Sequence, residues 1–330
     1  MRSNQTQRSG LGQDLQVFDG NPQGFRISTS IGGIDQFGLN LTCAQIASTV
    51  KYPVLPDGVE ENNSLHKKAG IFWSENAVWE LVQSNLELGK NKRFPLAYLM
   101  EAADDISYCL SDIEDGIEKG YTTYRDFYEA LEKEFEKAKV SVAFYYKIKR
   151  EADEYKASVD PIVYLRTQLV RRLVELASEI YVHNHESVLA GALPGLLDGN
   201  EDEACVLLSA IKNVVKVQLY GMIASVEIEL GGQAAIRGTL CRLEGLLSLE
   251  RSDFQSLIDP DQAPKNLAEE SRLLSLLPKK YVAAYERNAK TAEDSEEIFH
   301  RAHLMVDYVA GMTDVFAISV YRKLSGIKFQ

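Results

Sequence analysis

Apolar residues recur at helical spacing along much of the chain, and several of these runs carry clear start signals. Leucine and isoleucine lie three or four positions apart on one predicted helical face: Leu165, Leu169, Leu173, Leu176 and Ile180. Asp160 followed by Pro161 favours a helix start, because aspartate accepts from free N–H groups and proline needs no partner there. Thr42 and Gln45 form the pattern of a capping box, which predicts another helix start.

The same spacing predicts further helices over 75–88, 96–118, 122–139, 162–182, 203–228, 234–249 and 292–325. No β-hairpin pattern and no repeated block is present in the sequence, so the predicted fold class is all-α. Residues 1–38 are rich in Gly, Gln, Ser and Asn, which predicts an irregular segment. We expect residues 39–330 to form a single helical domain.

Composition narrows the class of protein. The 330 residues are 45% hydrophobic and 25% charged, as in ordinary globular proteins. The net charge of −12 repels polyanions, so a phosphate-bearing ligand needs a local cluster of Lys and Arg. A polar start, no apolar run of 18 residues and widely spaced cysteines without a CxxC pair predict a cytoplasmic protein with no membrane partner.

A polar stripe on the predicted helix after Pro95 is the strongest candidate for chemistry. Acidic and phenolic residues lie three or four positions apart and therefore share one face: Glu101, Asp104, Tyr108, Asp112 and Asp115. Carboxylates in this arrangement can hold a divalent cation and accept hydrogen bonds from a hydroxylated ligand. From the spacing alone, a solvated acidic face is the more common interpretation.

The run from Arg93 to Asp112 resembles the signature Pro-Leu-x-Tyr-x-x-Glu-Ala-Ala-Asp-Asp-Ile-x-Tyr of the dGTP triphosphohydrolases, all-helical members of the metal-dependent HD superfamily. The resemblance implies an HD-superfamily-like multi-helix domain. It also implies that Asp104 binds the metal, that Tyr108 packs against the deoxyribose, and that Asp112 accepts a hydrogen bond from the sugar 3′-hydroxyl.

Other segments resemble the family in the same order, at residues 18–26, 39–53, 66–75 and 307–314. By this resemblance Asn21, Gln23 and Arg26 line the pocket, and Lys51 and Lys68 bind phosphates. Each lysine alone also has a structural explanation that needs no ligand. Lys51 can complement the dipole at a helix C-terminus, and Lys68 can be a solvated loop residue. Their joint placement favours phosphate binding, because a triphosphate needs compact cationic donors.

The His-Asp dipeptide that names the superfamily does not occur in this sequence. The five histidines all follow the segment that contains Asn21, whereas the family ligands precede it: His66, His183, His185, His300 and His303. We therefore expect an N-terminally truncated form of the family fold. Asp104 alone cannot hold Mg²⁺ or Mn²⁺ tightly, so retention of the divalent metal is doubtful and activity of the isolated chain should be low.

The resemblance implies hydrolysis of a deoxynucleoside triphosphate, dGTP preferred, to deoxynucleoside and triphosphate. The alternative is a non-catalytic nucleotide-binding or oligomerising remnant that assembles with itself or with an intact homologue. The resemblance also implies a homo-oligomer, with nucleic acid acting only as a regulator.

Overall fold

The computed structural model describes residues 11–154, 160–259 and 263–327, and within them it contains helices and turns but no strand. The predicted all-α class is confirmed. The sequence predicts one domain over 39–330, whereas the structure separates into two compact units. The first combines Met1–Asn91 with Ile228–Gln330, and the second is Lys92–Glu227. Each has its own core, in keeping with the tendency of long chains to divide their apolar interior.

The second unit is a bundle around one apolar core. Its helices are Pro95–Glu118, Tyr124–Ala138, Ala143–Glu154, Pro161–His183, His185–Leu189 and Glu203–Gln218. The predicted start at Pro161 is confirmed, because the Asp160 side chain accepts from the N–H groups of Ile162 and Val163. The predicted apolar face is buried at Leu165, Leu169, Leu173 and Leu176.

The first unit contains the remaining described helices. They are helical residues 11–16, Gly20–Arg26, the π-helix Ile27–Ile31, Cys43–Thr49, Asn76–Asn85, most of Ile223–Leu247, Arg251–Ser256, Ala268–Ser275, Lys279–Ala289, Asp294–Ala310 and Asp314–Leu324, with 3₁₀ turns at Pro56–Gly58, Trp73–Glu75 and Lys265–Leu267. The capping box at Thr42 is confirmed. Buried Arg301 donates to the carbonyls of Leu246 and Leu249 at 3.0 and 2.6 Å, which satisfies a helix end.

The described part of the predicted irregular segment at residues 1–38 contains helices as well as irregular chain. Gly20–Arg26 is α-helical and Ile27–Ile31 continues it as a π-helix. The Asp19 side chain accepts from the N–H of Asn21 and caps the start. Pro22 falls in the first turn, where its missing N–H requires no partner, so a sequence typical of a turn also fits a helix start.

Two predicted helix boundaries are also wrong. One helix ends at Gln218 and another begins at Ile223. The second helix continues through Gly231 and Gly232, which the sequence prediction placed outside helices. The predicted helix over 292–325 is broken before Thr313, whose side chain accepts from the N–H of Phe316 and starts a new helix. Within the described residues no single helix is long and apolar enough to cross a membrane; the pair Asp294–Ala310 and Asp314–Leu324 meets that test together, with a bend of 115°.

The glycine in the long helix gives a stability prediction. A Cβ added at Gly231 would meet no heavy atom within 4 Å. Gly231→Ala should raise the free energy of unfolding by about 0.5–1 kcal/mol, because alanine loses less backbone entropy in a helix. Urea denaturation followed by far-UV circular dichroism measures the change.

Gly120 provides the matched control, since it has equal open space but a φ of +73°. Gly120→Ala should destabilise by about 1 kcal/mol, because an L side chain is strained in this region. Equal effects of the two substitutions would contradict the helical assignment at Gly231.

Candidate functional site

Three of the predicted site residues share one groove in the second unit. Asp104, Tyr108 and Asp112 lie on the same face of the Pro95–Glu118 helix and line a groove of about 410 Å³. The helix Glu203–Gln218 and the turn after it form the other wall. We call this site the aspartate groove, and its remaining lining residues are Asp105, Lys212, Val215, Lys216 and Tyr220.

Packing on the opposite face holds the helix of the aspartate groove in place. Ala102, Ile106 and Ile113 are buried in the core of the second unit. Asp104 and Tyr108 are exposed, and Asp112 is half-buried. The carboxylates therefore face the groove because the apolar residues between them occupy the core side of the same helix.

Tyr220 is a groove residue that sequence reasoning missed. Its hydroxyl donates a hydrogen bond to Asp112 Oδ2. Partial burial, followed by hydrogen bonds with Asp112 and Tyr108, raises the pKa of Tyr220. Tyr220 was predicted to lie inside a helix over 203–228, and nothing in that spacing points to a contact with a residue about a hundred positions away.

Positive charge also reaches the aspartate groove. Lys212 Nζ lies 3.3 Å from Asp105 Oδ2, and Lys216 lines the same wall. The groove therefore presents carboxylates, phenols and ammonium groups to one ligand-sized volume. This combination suits a ligand that carries both hydroxyl and anionic groups.

Glu101, the first residue of the predicted polar stripe, does not line this groove. It forms an ion pair with Arg93, which is fully buried. The Arg93 guanidinium lies 5.0 Å from the centroid of the Tyr98 ring. Glu101 therefore stabilises the start of the helix by neutralising a buried cation.

Two predicted residues, Asn21 and Lys51, line a separate groove in the first unit. This lysine groove has a volume of about 220 Å³, and its other lining residues are Gly20, Gly24, Phe25, Ser28, Thr49, Val50 and Gly70. Lys51 follows the helix Cys43–Thr49, as predicted. A Cβ at Gly70 would lie 1.8 Å from the Tyr52 carbonyl oxygen. The close approach of the backbone at Gly70 to the backbone at Tyr52 therefore requires glycine here.

Lys68 belongs to the same unit and forms an ion pair with Asp19. Lys68 Nζ lies 2.9 Å from Asp19 Oδ2, while Asp19 Oδ1 accepts from the backbone N–H of Asn21 at 3.0 Å. Burial alone would raise the pKa of Asp19, but the hydrogen bonds from Asn21 and Lys68 lower it overall. Asp19 thus stays ionised and connects Lys68 to the first turn of the Gly20–Arg26 helix.

Gln23 and Arg26, the other two predicted pocket residues, do not line the lysine groove. Both are buried, and both donate to Asp307: Gln23 Nε2 at 3.0 Å, Arg26 Nε at 2.9 Å and Arg26 Nη2 at 2.8 Å. Arg26 also forms an ion pair with Glu75, whose other oxygen accepts from Ser30 at 2.6 Å. Coulombic attraction to the two carboxylates outweighs burial and raises the pKa of Arg26. The physical reason for the difference is that a buried guanidinium needs acidic partners, which here come from distant segments.

The donor set for a divalent metal does not fit. Among the described residues, no three His, Cys, Asp or Glu side chains are grouped so that they could hold a metal ion. His303 is buried, with Nε2 3.5 Å from Asp14 Oδ2 and its ring 5.4 Å from that of Phe72. His183 and His185 are exposed.

Comparison with known proteins agrees with the resemblance read from the sequence. Residues 252–323 match the phosphohydrolase-associated domain. The chain is 32% identical over 335 aligned residues to the deoxyguanosinetriphosphate triphosphohydrolase of Yersinia enterocolitica. The alignment covers 96% of this chain and 65% of that relative, so the chain spans about two thirds of the relative's length. The predicted family resemblance is confirmed.

The buried cluster around Arg26 generates a stability prediction. Asp307→Ala should lower the free energy of unfolding by about 3–5 kcal/mol, because it removes the hydrogen bonds to a buried guanidinium. Urea denaturation measures this loss. Asp294→Ala on the same helix is the control, since Asp294 pairs with Arg251 but is largely exposed. That variant should lose less than about 1 kcal/mol. Comparable losses would argue against the buried cluster.

His300 generates a pH prediction. Burial, followed by repulsion from His303 and Arg26, lowers the pKa of His300 below its ordinary value of 6.5. Protonation of His300 therefore favours the unfolded chain, and stability is lost as the pH falls below about 6.5. His300→Gln should reduce this loss in urea titrations at a series of pH values between neutrality and pH 5. His183→Gln, at an exposed position, should leave the profile unchanged.

Proposed function

We propose that the chain binds deoxynucleoside triphosphates, and its 32% identity to a deoxyguanosinetriphosphate triphosphohydrolase over 96% of its own length supports this. We further propose that it contributes to their hydrolysis to deoxynucleoside and triphosphate, with dGTP preferred. One observation carries the proposal: Asp104, Tyr108 and Asp112 line a single groove together with Lys212 and Lys216. A merely solvated acidic stripe would not require this facing wall of phenol and ammonium groups.

The groups in the aspartate groove have complementary roles in this proposal. The Tyr108 ring packs against the deoxyribose, and Asp112 accepts a hydrogen bond from the 3′-hydroxyl. Lys212 and Lys216 offer positive charge in a protein whose net charge is −12. In the first unit, Lys51 of the lysine groove and Lys68, which pairs with Asp19, are proposed to bind phosphate oxygens as charge-assisted donors.

Divalent metal chemistry is a feature of the superfamily, but the described donor set does not hold such an ion. Asp104 lines the aspartate groove without two further His, Cys, Asp or Glu ligands grouped beside it. We therefore assign no step of the reaction to a metal bound by these residues. Binding of Mg²⁺ or Mn²⁺ through Asp104, a cytoplasmic location and regulation by nucleic acid all stay predictions.

The lack of a group of metal ligands beside Asp104 among the described residues favours a second candidate function, that of a protein that binds nucleotide without hydrolysing it. Such a protein would act by assembly with itself or with an intact homologue. Large apolar side chains are exposed on the helix Ile223–Leu247, with Ile228 at 69% and Leu230 at 57% exposure. Association covers such surfaces in many proteins, and this exposure supports the proposed homo-oligomer.

Substitution of Asp112 tests the binding site that both candidates share. Asp112→Ala should weaken dGTP binding about three- to tenfold, because it removes a charge-assisted acceptor for the sugar hydroxyl. Isothermal titration calorimetry measures the dissociation constant. The control is Asp115→Ala, since Asp115 lies three positions further along the same helix, is exposed and forms an ion pair with Lys119. Equal effects would contradict the groove assignment.

Triphosphate release from the same samples separates the two candidates. We expect little release from dGTP by the isolated chain with Mg²⁺ or Mn²⁺, because too few ligands are grouped beside Asp104. Fusion to the His-Asp segment of a related enzyme should restore release if the chain is a part of a hydrolase. Binding without restored release would favour the non-catalytic candidate.

A further inference from the structure

Tyr220 occupies the acceptor that the proposed function assigns to the ligand. Its hydroxyl donates to Asp112 Oδ2, and Tyr108 lines the same groove. Asp112 and Tyr108 are the two side chains proposed to hold the deoxyribose. The Tyr220 hydroxyl thus holds the carboxylate oxygen that a sugar hydroxyl would use as its acceptor.

The position of Tyr220 in the chain allows it to leave. It lies in the turn between the helices Glu203–Gln218 and Ile223–Leu247, next to Gly221. Its side chain is 48% exposed. Water can therefore replace the hydrogen bond to Asp112 when the phenol turns away, and the cost of displacement is small compared with that of breaking a buried bond.

The two hydroxyl groups have the same chemistry. A phenol and a sugar hydroxyl are both neutral, and each donates one hydrogen bond. The carboxylate of Asp112 already accepts from Tyr220, so a ligand hydroxyl gains only the difference between two similar bonds. An analogue without that hydroxyl leaves the tyrosine bond in place.

We propose that Tyr220 is an internal stand-in for the sugar hydroxyl, which a deoxynucleotide must displace from Asp112 on binding. This inference rests on the proposed function, because it takes the ligand to be a nucleotide whose sugar reaches Asp112. Tyr220 then lowers the affinity for ligands that carry a 3′-hydroxyl. It has no effect on ligands that lack one.

The test is a thermodynamic cycle between one hydroxyl on the protein and one on the ligand. Dissociation constants of dGTP and of 2′,3′-dideoxy-GTP are measured by calorimetry for the full chain and for Tyr220→Phe. The variant should bind dGTP about three- to tenfold more tightly, because it removes a competing hydrogen bond to a carboxylate. Its affinity for the dideoxy analogue should stay within about twofold of the original.

Tyr124→Phe is the matched control. The Tyr124 hydroxyl also donates to a carboxylate, that of Asp160, in the same unit but outside the aspartate groove. It removes an equivalent phenol–carboxylate bond and should change neither affinity. Far-UV circular dichroism of each variant checks that the helical content is unchanged.

Each remaining outcome overturns a stated part of the inference. Weaker dGTP binding by Tyr220→Phe would make Tyr220 a positioning residue for Asp112, and an equal change for both ligands would remove any link to the 3′-hydroxyl. Either result overturns the role of Tyr220 while nucleotide binding stands. Failure of both nucleotides to bind either protein would instead overturn the proposed function, and the stand-in role with it.

Discussion

The buried guanidinium of Arg26 is the constraint on which the first unit depends. With only 2% of its surface exposed, it requires both Asp307 and Glu75 as partners. A buried charge without partners costs several kcal/mol, so three distant segments must be correctly placed at once. The helix that ends at Arg26 begins beside Asn21 and Asp19, and the geometry of the lysine groove follows from this anchoring.

The second unit positions its groove by a different means. The polar residues on the Pro95–Glu118 helix are oriented by apolar packing on its other side, where Ile106 and Ile113 enter the core. Arg93 and Glu101 add a buried ion pair at the beginning of this helix. Apolar packing thus orients the helix face that carries Asp104 and Asp112, and Tyr220 adds one hydrogen bond to Asp112.

The sequence predicted those features that depend on interactions between residues close together in the chain, namely helix starts and shared helix faces. The capping residues Thr42 and Asp160 and the common face of Asp104, Tyr108 and Asp112 all depend on neighbours within about four positions. The resemblance to the family supplied the candidate roles, but it placed Gln23 and Arg26 at the pocket. Their partner Asp307 is 281 positions from Arg26, and no spacing rule spans that distance. Tyr220 was missed for the same reason.

The division of the chain into two units imposes an order on its folding during synthesis. Lys92–Glu227 is continuous, whereas the first unit is built from segments on both sides of it. A ribosome releases chain from the N-terminus, and contiguous units fold as they emerge. The Arg26 side chain therefore stays solvated and cannot form its ion pair with Asp307 until Asp307 has been translated. The first segment spends that interval without its partner helix, and this is the period in which a chaperone or a protease would encounter it.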